Sequence, residues 1–591
     1  MCGICGAIGA SDKPLLQEMT RILRHRGPDD VGFYIDNKVM LGQCRLSIID
    51  LKTGRQPIFN EDETIVVMYN GEIYNFRELR HELEARGHRF STNSDTEVTV
   101  HAYEEFGLDA FNLFNGMFAL AMYDSVNKKF ILARDRQGIK PLYYALNNGS
   151  LVFASEIKSI LAFPGVLRQL DKEALAYFLS LRYVPLNGTM FTGIKRVMPG
   201  SYLVYENSLL KEENYWALHP KPELKSVPDS ELRSTLKRSV ERHMISDVPV
   251  GVYLSGGIDS ASMVAFASRI SDEPLNTFCM GFGESSDELE DARAIANHFG
   301  CRHSEVVVNE NLLEAFPDMI WHMDFPKRNL YPYYLAKLAR RHVKVVLSGL
   351  GGDELFAGYD FRYAPLVSQQ PSNAIEKVRL YLRTQGRDLP PDQDTVYGSS
   401  IPDGIHHRAE EFVTPFFADG LPFMEQVLAA DFNAKMTYDF LPVDDATSMA
   451  HSVETRVPFL DNELVDLAFS MTFSSKFHDG KGKYPLRQAL SSDLPPEVFE
   501  KKKQGFGPSP YDVYKRELRA YAEEYLLAGR CISLGLINPL WVKGVLSRSL
   551  SSDLNAEYNK IWDCLALEVF LRLYFNETPP VAPPTWQSIK S

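Results

Sequence analysis

The sequence predicts two folds in series: a sheet-rich α+β unit in the N-terminal third and an α/β unit built on a parallel sheet behind it. Three observations carry this. Short β-like runs separated by turn residues fill the chain up to about Ala145. Strands and helices then alternate between 248 and 347 at the spacing of βα units. At the head of that alternation stands Ser255-Gly256-Gly257-Ile258-Asp259-Ser260, between an apolar run over 248–254 and a helical stretch over 261–270.

With 591 residues the chain holds several cores. It is 45% apolar, 24% charged and 12% aromatic, the composition of a soluble globular protein. A net charge of −14 and a pI near 5.6 argue against nucleic-acid binding as the main role, though local basic pockets are allowed. No stretch approaches eighteen uninterrupted apolar residues, so no membrane span is expected. Seven scattered cysteines fit reduced thiols in the cytoplasm better than a disulfide framework.

Residues 1–9 form an apolar, glycine-rich strand. If Met1 is removed, Cys2 carries a thiol and a free α-amine on one carbon, and the amine can take the thiol proton. Two plainer readings compete: a metal or redox pair of Cys2 with Cys5, and a merely buried thiol. Further strands are expected at 32–36, 39–41, 65–69, 118–123, 129–133 and 142–145, with a helix over 76–86. Three polar patches are expected at strand ends or turns: Arg45-Leu46-Ser47-Ile48-Ile49-Asp50, Tyr69-Asn70-Gly71-Glu72 with Ile73-Tyr74-Asn75, and Ser94-Asp95-Thr96-Glu97. Asn70-Gly71 reads by default as a hairpin turn, which can still aim an amide and an N–H at one point.

The polar stretch 209–228 is the candidate domain boundary, followed by a helix over 230–244. In the turn after 248–254 two glycines admit close backbone approach, and N–H groups at the helix start, with the Ser255 and Ser260 hydroxyls facing outward, suit an anion. The competing reading is a turn that only joins strand to helix. Asp259 would repel a phosphate unless a cation intervenes, so the loop suggests pyrophosphate with Mg²⁺. Strands at 275–281, 305–308 and 343–347 and helices at 289–299 and 335–341 place ligand at the carboxyl ends of the strands. There a second glycine turn, Ser348-Gly349-Leu350-Gly351-Gly352-Asp353-Glu354, ends in carboxylates that could share the metal. Helices dominate after 421, including 424–439; the stretch 448–461 is expected to pack against the nucleotide loop, with His451 structural; 501–506, beginning Lys501-Lys502-Lys503, reads either as a mobile phosphate-facing loop or as a solvated basic turn, and the proline-rich 579–584 as a flexible tail.

Cys2, Arg-Leu-Ser-Ile-Ile-Asp, Tyr-Asn-Gly-Glu-Ile-Tyr-Asn, Ser-Asp-Thr-Glu and Ser-Gly-Gly-Ile-Asp-Ser, in this order, resemble the glutamine-hydrolysing asparagine synthetases, from Cys2 to about Phe506. The resemblance implies a class II amidotransferase of N-terminal nucleophile type, an αββα sandwich over 2–210. A linker at 211–228, an ATP-pyrophosphatase-type synthetase over 229–520 and a helical extension over 521–591 would follow. It implies Cys2 as nucleophile and Asn70 with the Gly71 N–H as oxyanion hole. Arg45 and Asp95 would clamp the ends of glutamine, with Leu46, Ser47, Ile48, Ile49 and Glu72 around them. Leu254, Met280, Ser348 and Gly349 would hold the adenylate, and Ser255, Gly256, Gly257, Asp259 and Ser260 the pyrophosphate. Asp259 and Asp353 would bind Mg²⁺, and Lys483, which by itself would be assigned to solvent, would stabilise charge. Substrates would be glutamine, ATP and aspartate, the ammonia crossing by a dry passage, and the family tends to form homodimers.

One departure stands out. Leu350 occupies a position where the best-known members carry glutamate, which leaves open another carboxylate (sugar, peptide or cell-wall precursor) as acceptor, or a binding protein that keeps only the fold.

Overall fold

The structure is a computed structural model that describes residues 2–220, 227–284, 287–309, 311–386, 393–401, 404–418, 420–501, 507–576 and 580–590. The N-terminal unit contains twelve strands: β1 (Cys2–Ile8), β2 (Asp30–Ile35), β3 (Val39–Arg45), β4 (Ile58–Phe59), β5 (Ile65–Ile73), β6 (Gly116–Asp124), β7 (Lys129–Arg134), β8 (Tyr143–Asn147), β9 (Ser150–Ala154), β10 (Ile194–Arg196), β11 (Ser201–Glu206) and β12 (Leu209–Asn214). They form two antiparallel six-stranded sheets, ordered β10-β8-β9-β1-β3-β2 and β12-β11-β7-β6-β5-β4.

Period-two alternation explains the layering. On β1, Ile4 and Ile8 enter the core between the sheets with Val66 and Met68 of β5. Cys5 and Ala7 face the opposite way, onto helix α1 (Lys13–Ile22). Ile65, Val67 and Tyr69 of β5 pack beneath the outer helices α2 (Phe76–Ala85) and α3 (Glu97–Phe106). The result is the expected αββα sandwich.

The second unit is a fully parallel sheet of β13 (Val250–Tyr253), β14 (Asn276–Gly281), β15 (Arg302–Val307), β16 (Val345–Leu347) and β17 (Glu454–Arg456), ordered β15-β14-β13-β16-β17. The chain winds outward from β13 to β15, then returns to the other side of β13 with β16. That reversal puts the carboxyl ends of β13 and β16 side by side at a switch point.

Several expectations need correction. Asn70-Gly71 is not a turn but lies inside the nine-residue β5, paired across to Ala119 and Phe118. The stretch expected to begin the linker is still sheet, because β12 pairs with β11 as far as Asn214. The helix over 424–439 changes to a wider π-type coil at Asp431–Phe440 before resuming at Leu441–Met449. The flexible tail is packed. Trp586 stacks on Tyr521 with ring centroids 4.3 Å apart and donates to the Leu313 carbonyl, and Ile589 is buried. Aromatic burial outweighs the extended bias of the prolines there; Pro579 and Lys502 to Phe506 lie outside the described residues. The helical extension after 521 shares a core with Phe278 and Met280 of β14, so it completes the second unit.

Candidate active sites

In the sandwich, Cys2 and Asn70 sit on the inter-sheet faces of β1 and β5 by strand parity. The Cys2 N–H donates to Asn70 Oδ1 at 2.9 Å. Asn70 Nδ2 is buried and makes no hydrogen bond within the described residues, a donor held in reserve. Gly71 lies opposite Phe118, whose N–H and C=O both go to Asp135. The Gly71 N–H therefore faces away from β6. A Cβ at Gly71 would lie 2.2 Å from the Met117 carbonyl, so only glycine fits. Burial pushes the Cys2 thiol up from its ordinary value, and nearby positive charge including Arg45 opposes it. The Cys2/Cys5 pair is no metal site: three residues apart on a strand, they point to opposite faces, and Cys5 Sγ lies 3.3 Å from Thr20 Oγ1.

Register sets the rest. Antiparallel pairing of β1 with β3 puts Arg45 opposite Cys2. The Arg45 guanidinium is steadied by the carbonyls of Ile49 and Asp50 at 2.9 and 2.8 Å. Leu46 and Ile48 are buried in the core of the second unit, and Ser47 N–H donates to Asp29. Asp95 accepts the Ile73 N–H at 3.0 Å, and burial raises its carboxyl to about 6. Glu72 is buried 3.2 Å from Arg456 of β17, and burial raises its carboxyl too.

At the switch point the two glycine turns pack against each other. A Cβ at Gly349 would meet Asp259 Cβ at 2.9 Å, and one at Gly352 would meet Asp259 Oδ1 at 2.5 Å. Lys483 is buried, with its Nζ hydrogen-bonded to Asp259 and 2.6 Å from Asp353 Oδ1. The expected pair of carboxylates is thus assembled around a lysine distant in sequence. The serine hydroxyls differ from expectation: Ser255 Oγ and Ser260 Oγ lie 3.0 Å apart, and Ser260 Oγ accepts the Ser255 N–H, so they brace the loop from inside. The helix Ile258–Ala267 then starts at Gly257 without a side-chain cap, which leaves its first N–H groups for a ligand. Leu254 and Met280 are buried at the ends of β13 and β14, and the Ser348 N–H donates to the Arg456 carbonyl.

Beside the second turn is a cavity of about 460 Å³ whose walls include Leu350, Asp353, Lys327, Arg328, Lys435 and Asp444. Glu354 is buried outside its lining, bonded by the Tyr359 hydroxyl, with burial and Asp353 raising its carboxyl to about 7. Between the units Arg26 joins the Cys2 carbonyl at 3.1 Å to Asp445 Oδ2 at 2.9 Å. Arg26 and Asp445 line a small cavity of about 30 Å³, while the neighbouring Asp444 lines the large one.

A family model described as asparagine synthase matches residues 231–572, and one described as a glutamine amidotransferase domain matches residues 1–216. The chain is 34% identical over 551 residues to asparagine synthetase [glutamine-hydrolyzing] 1 of Bacillus subtilis, covering 86% of this chain and 87% of the relative. It is 32% identical over 539 residues to asparagine synthetase B [glutamine-hydrolyzing] of Escherichia coli, covering 86% and 82%. The chain belongs to the asparagine synthase family. Within that family frame, the stretch 448–461 does meet the nucleotide-side turn, through the Arg456 carbonyl, but sequence reasoning missed that the Arg456 side chain bonds Glu454 at 2.6 Å and reaches Glu72 of the other unit. It also missed the cavity cations; Lys501, read either as phosphate-facing or as solvated, has its Nζ 3.0 Å from Glu288, beside Gly256 of the first glycine turn. The signal was available only as a cation in an otherwise apolar or acidic context. His451 is structural, edge-on to Tyr333 at 4.2 Å, and burial lowers it to about 4. Among the described residues no helix is long and apolar enough to cross a membrane.

Proposed function

We propose that the protein is a glutamine-hydrolysing asparagine synthetase that acts in the cytoplasm on glutamine, ATP and aspartate. The observation that carries this is the convergence of Asp259, Asp353 and Lys483 at the switch point of the parallel sheet, in a chain whose other unit sets a buried orphan amide beside Cys2.

Cys2 Sγ attacks the carboxamide carbon of glutamine while Asn70 Nδ2 and the Gly71 N–H stabilise the oxyanion. The C–N bond breaks, ammonia leaves with the thiol proton relayed through the Cys2 amine once Met1 is removed, and water resolves the thioester to glutamate. Arg45 forks the α-carboxylate and Asp95 holds the ammonium, within the wall made by Leu46 to Ile49 and Glu72.

On the other side Leu254, Met280, Ser348 and Gly349 hold the adenylate, and the backbone N–H groups of the turn through Gly256 and Gly257, braced by the Ser255 and Ser260 hydroxyls, hold the pyrophosphate. The hard oxygens of Asp259 and Asp353 suit Mg²⁺, which when bound offsets phosphate charge as pyrophosphate leaves. Lys483 steadies the charge that develops as the aspartate side-chain carboxylate attacks the α-phosphorus, and ammonia then displaces AMP. The adjoining cavity offers the acceptor a polar wall of both signs, in which Lys327 pairs with Asp439 and Arg328 with Asp563, and Lys435 and Asp444 also take part.

Purified protein given ATP, glutamine and aspartate should yield asparagine, glutamate, AMP and pyrophosphate. ATP–pyrophosphate exchange supported by another carboxylate and not by aspartate would overturn the assignment of acceptor.

A further inference from the structure

A second group of ligand-type side chains lies in the helical layer, outside the sheet that carries Asn70. Helix α3 aligns Glu97, His101 and Glu104 at i, i+4 and i+7, on one face. Glu61, in the turn between β4 and β5, and His88, after α2, approach that face. Ligand atoms of Glu61, His88, His101 and Glu104 all lie within 4.8 Å of one another. His101 Nδ1 is 3.3 Å from Glu61 Oε2 and 3.8 Å from Glu104 Oε2. His88 Nδ1 is 3.5 Å from Glu61 Oε1 and 3.6 Å from Glu104 Oε2. Nitrogen and oxygen ligands about 2.0–2.1 Å from a tetrahedral zinc lie roughly 3.3–3.5 Å from one another. The closest pairs already stand near that spacing, and the widest, within 4.8 Å, must close by up to about 1.4 Å to enclose one ion.

Both imidazoles turn Nδ1 inward and Nε2 outward, each toward a carboxylate: His88 Nε2 is 3.3 Å from Glu105 Oε2, and His101 Nε2 is 3.6 Å from Glu97 Oε1. A hydrogen-bonded outer carboxylate, as Glu105 is to His88, fixes the tautomer of a metal-ligating histidine and raises its basicity, and Glu97 stands just beyond that distance from His101. Glu97 is itself anchored by the N–H groups of Ser91 and Thr92, both at 2.7 Å. The His101 side chain is 1% exposed, and neither ring nitrogen makes a hydrogen bond within the described residues. A buried imidazole without such bonds, aimed at two carboxylates and a second imidazole, fits a ligand better than a core residue.

We propose that Glu61, His88, His101 and Glu104 form a structural site for one divalent transition metal of the zinc class, with Glu97 and Glu105 orienting the imidazoles. Two imidazoles favour such a metal over Mg²⁺ or Ca²⁺, and four protein ligands leave no open position for chemistry. The ion ties the β4–β5 turn and the loop after α2 to α3, the helix that begins just past Asp95.

The test is titration of the metal-free full-length protein with Co²⁺, then Zn²⁺. One equivalent of Co²⁺ should give the strong visible absorption of a four-coordinate centre, one equivalent of Zn²⁺ should displace it, and Zn²⁺ should raise Tm. His88→Ala and Glu61→Gln, both outside the buried core, should each weaken binding at least tenfold while glutaminase and synthetase activities persist. Absence of stoichiometric binding would overturn the site. So would a strong band that survives both variants or disappears only in Cys2→Ala.

Discussion

At the residue scale, the glutaminase chemistry depends on strand parity. Even-numbered residues of β1 and β5 share the inter-sheet face, so Cys2 and Asn70 meet although 68 positions separate them. Cys2→Ala should abolish glutamate formation from glutamine and leave asparagine formation from added ammonia largely intact; equal loss of both activities would refute separate sites. Asp95 gives a pH signature. Its carboxyl is raised to about 6 by burial, so below that pH it takes up a proton, and if it holds the glutamine ammonium that hold is lost. The kcat/KM for glutamine hydrolysis should fall by up to about tenfold per pH unit below 6. Asp95→Asn should be poor at every pH and lack this dependence. A wild-type profile flat down to pH 5 would remove Asp95 from ammonium binding.

At the scale of elements, the order of strands and helices was legible because hydrophobic period and glycine punctuation are local. Both glycine turns could be located, and the switch point explains why they meet. What was not legible depends on contacts distant in sequence. Asn-Gly reads as a turn until β6 pairs with it and a Cβ at 71 is seen to clash with Met117. Lys483 reads as solvated until the fold sets it 224 residues back, against Asp259. The tail reads as flexible until Trp586 finds Tyr521. Leu350 belongs to the second turn and lines the large cavity, whose wall carries the ion pairs Lys327–Asp439 and Arg328–Asp563 as well as Lys435 and Asp444. With aspartate as acceptor, a carboxylate at 350 enters a wall that is already polar and charged, so Leu350→Glu should retain aspartate-dependent AMP formation. If the native acceptor instead laid apolar surface on Leu350, the charge would be set against it and AMP formation would collapse.

At the scale of the molecule, the two units are joined by buried polar contacts that run from one site toward the other. Glu72 of β5 meets Arg456 of β17, whose carbonyl holds the Ser348 N–H, and Arg26 spans from the Cys2 carbonyl to Asp445. The segment Leu441–Met449 supplies walls to both the small cavity at Arg26 and the large cavity at Leu350. These contacts are paired charges rather than apolar surface alone. If ammonia crosses here, those pairs must stay closed to keep the passage dry. Asp445→Asn leaves the buried Arg26 with Glu156, at 3.0 Å, as its remaining carboxylate partner. Breaking a buried pair costs about 3–5 kcal/mol, so Tm should fall. If the pair also seals the passage, glutamate should be formed in excess over asparagine, while synthesis from saturating added ammonia remains near wild type. A lower Tm with the two products still formed one to one would make the Arg26–Asp445 contact a tether between the units and move the ammonia route elsewhere.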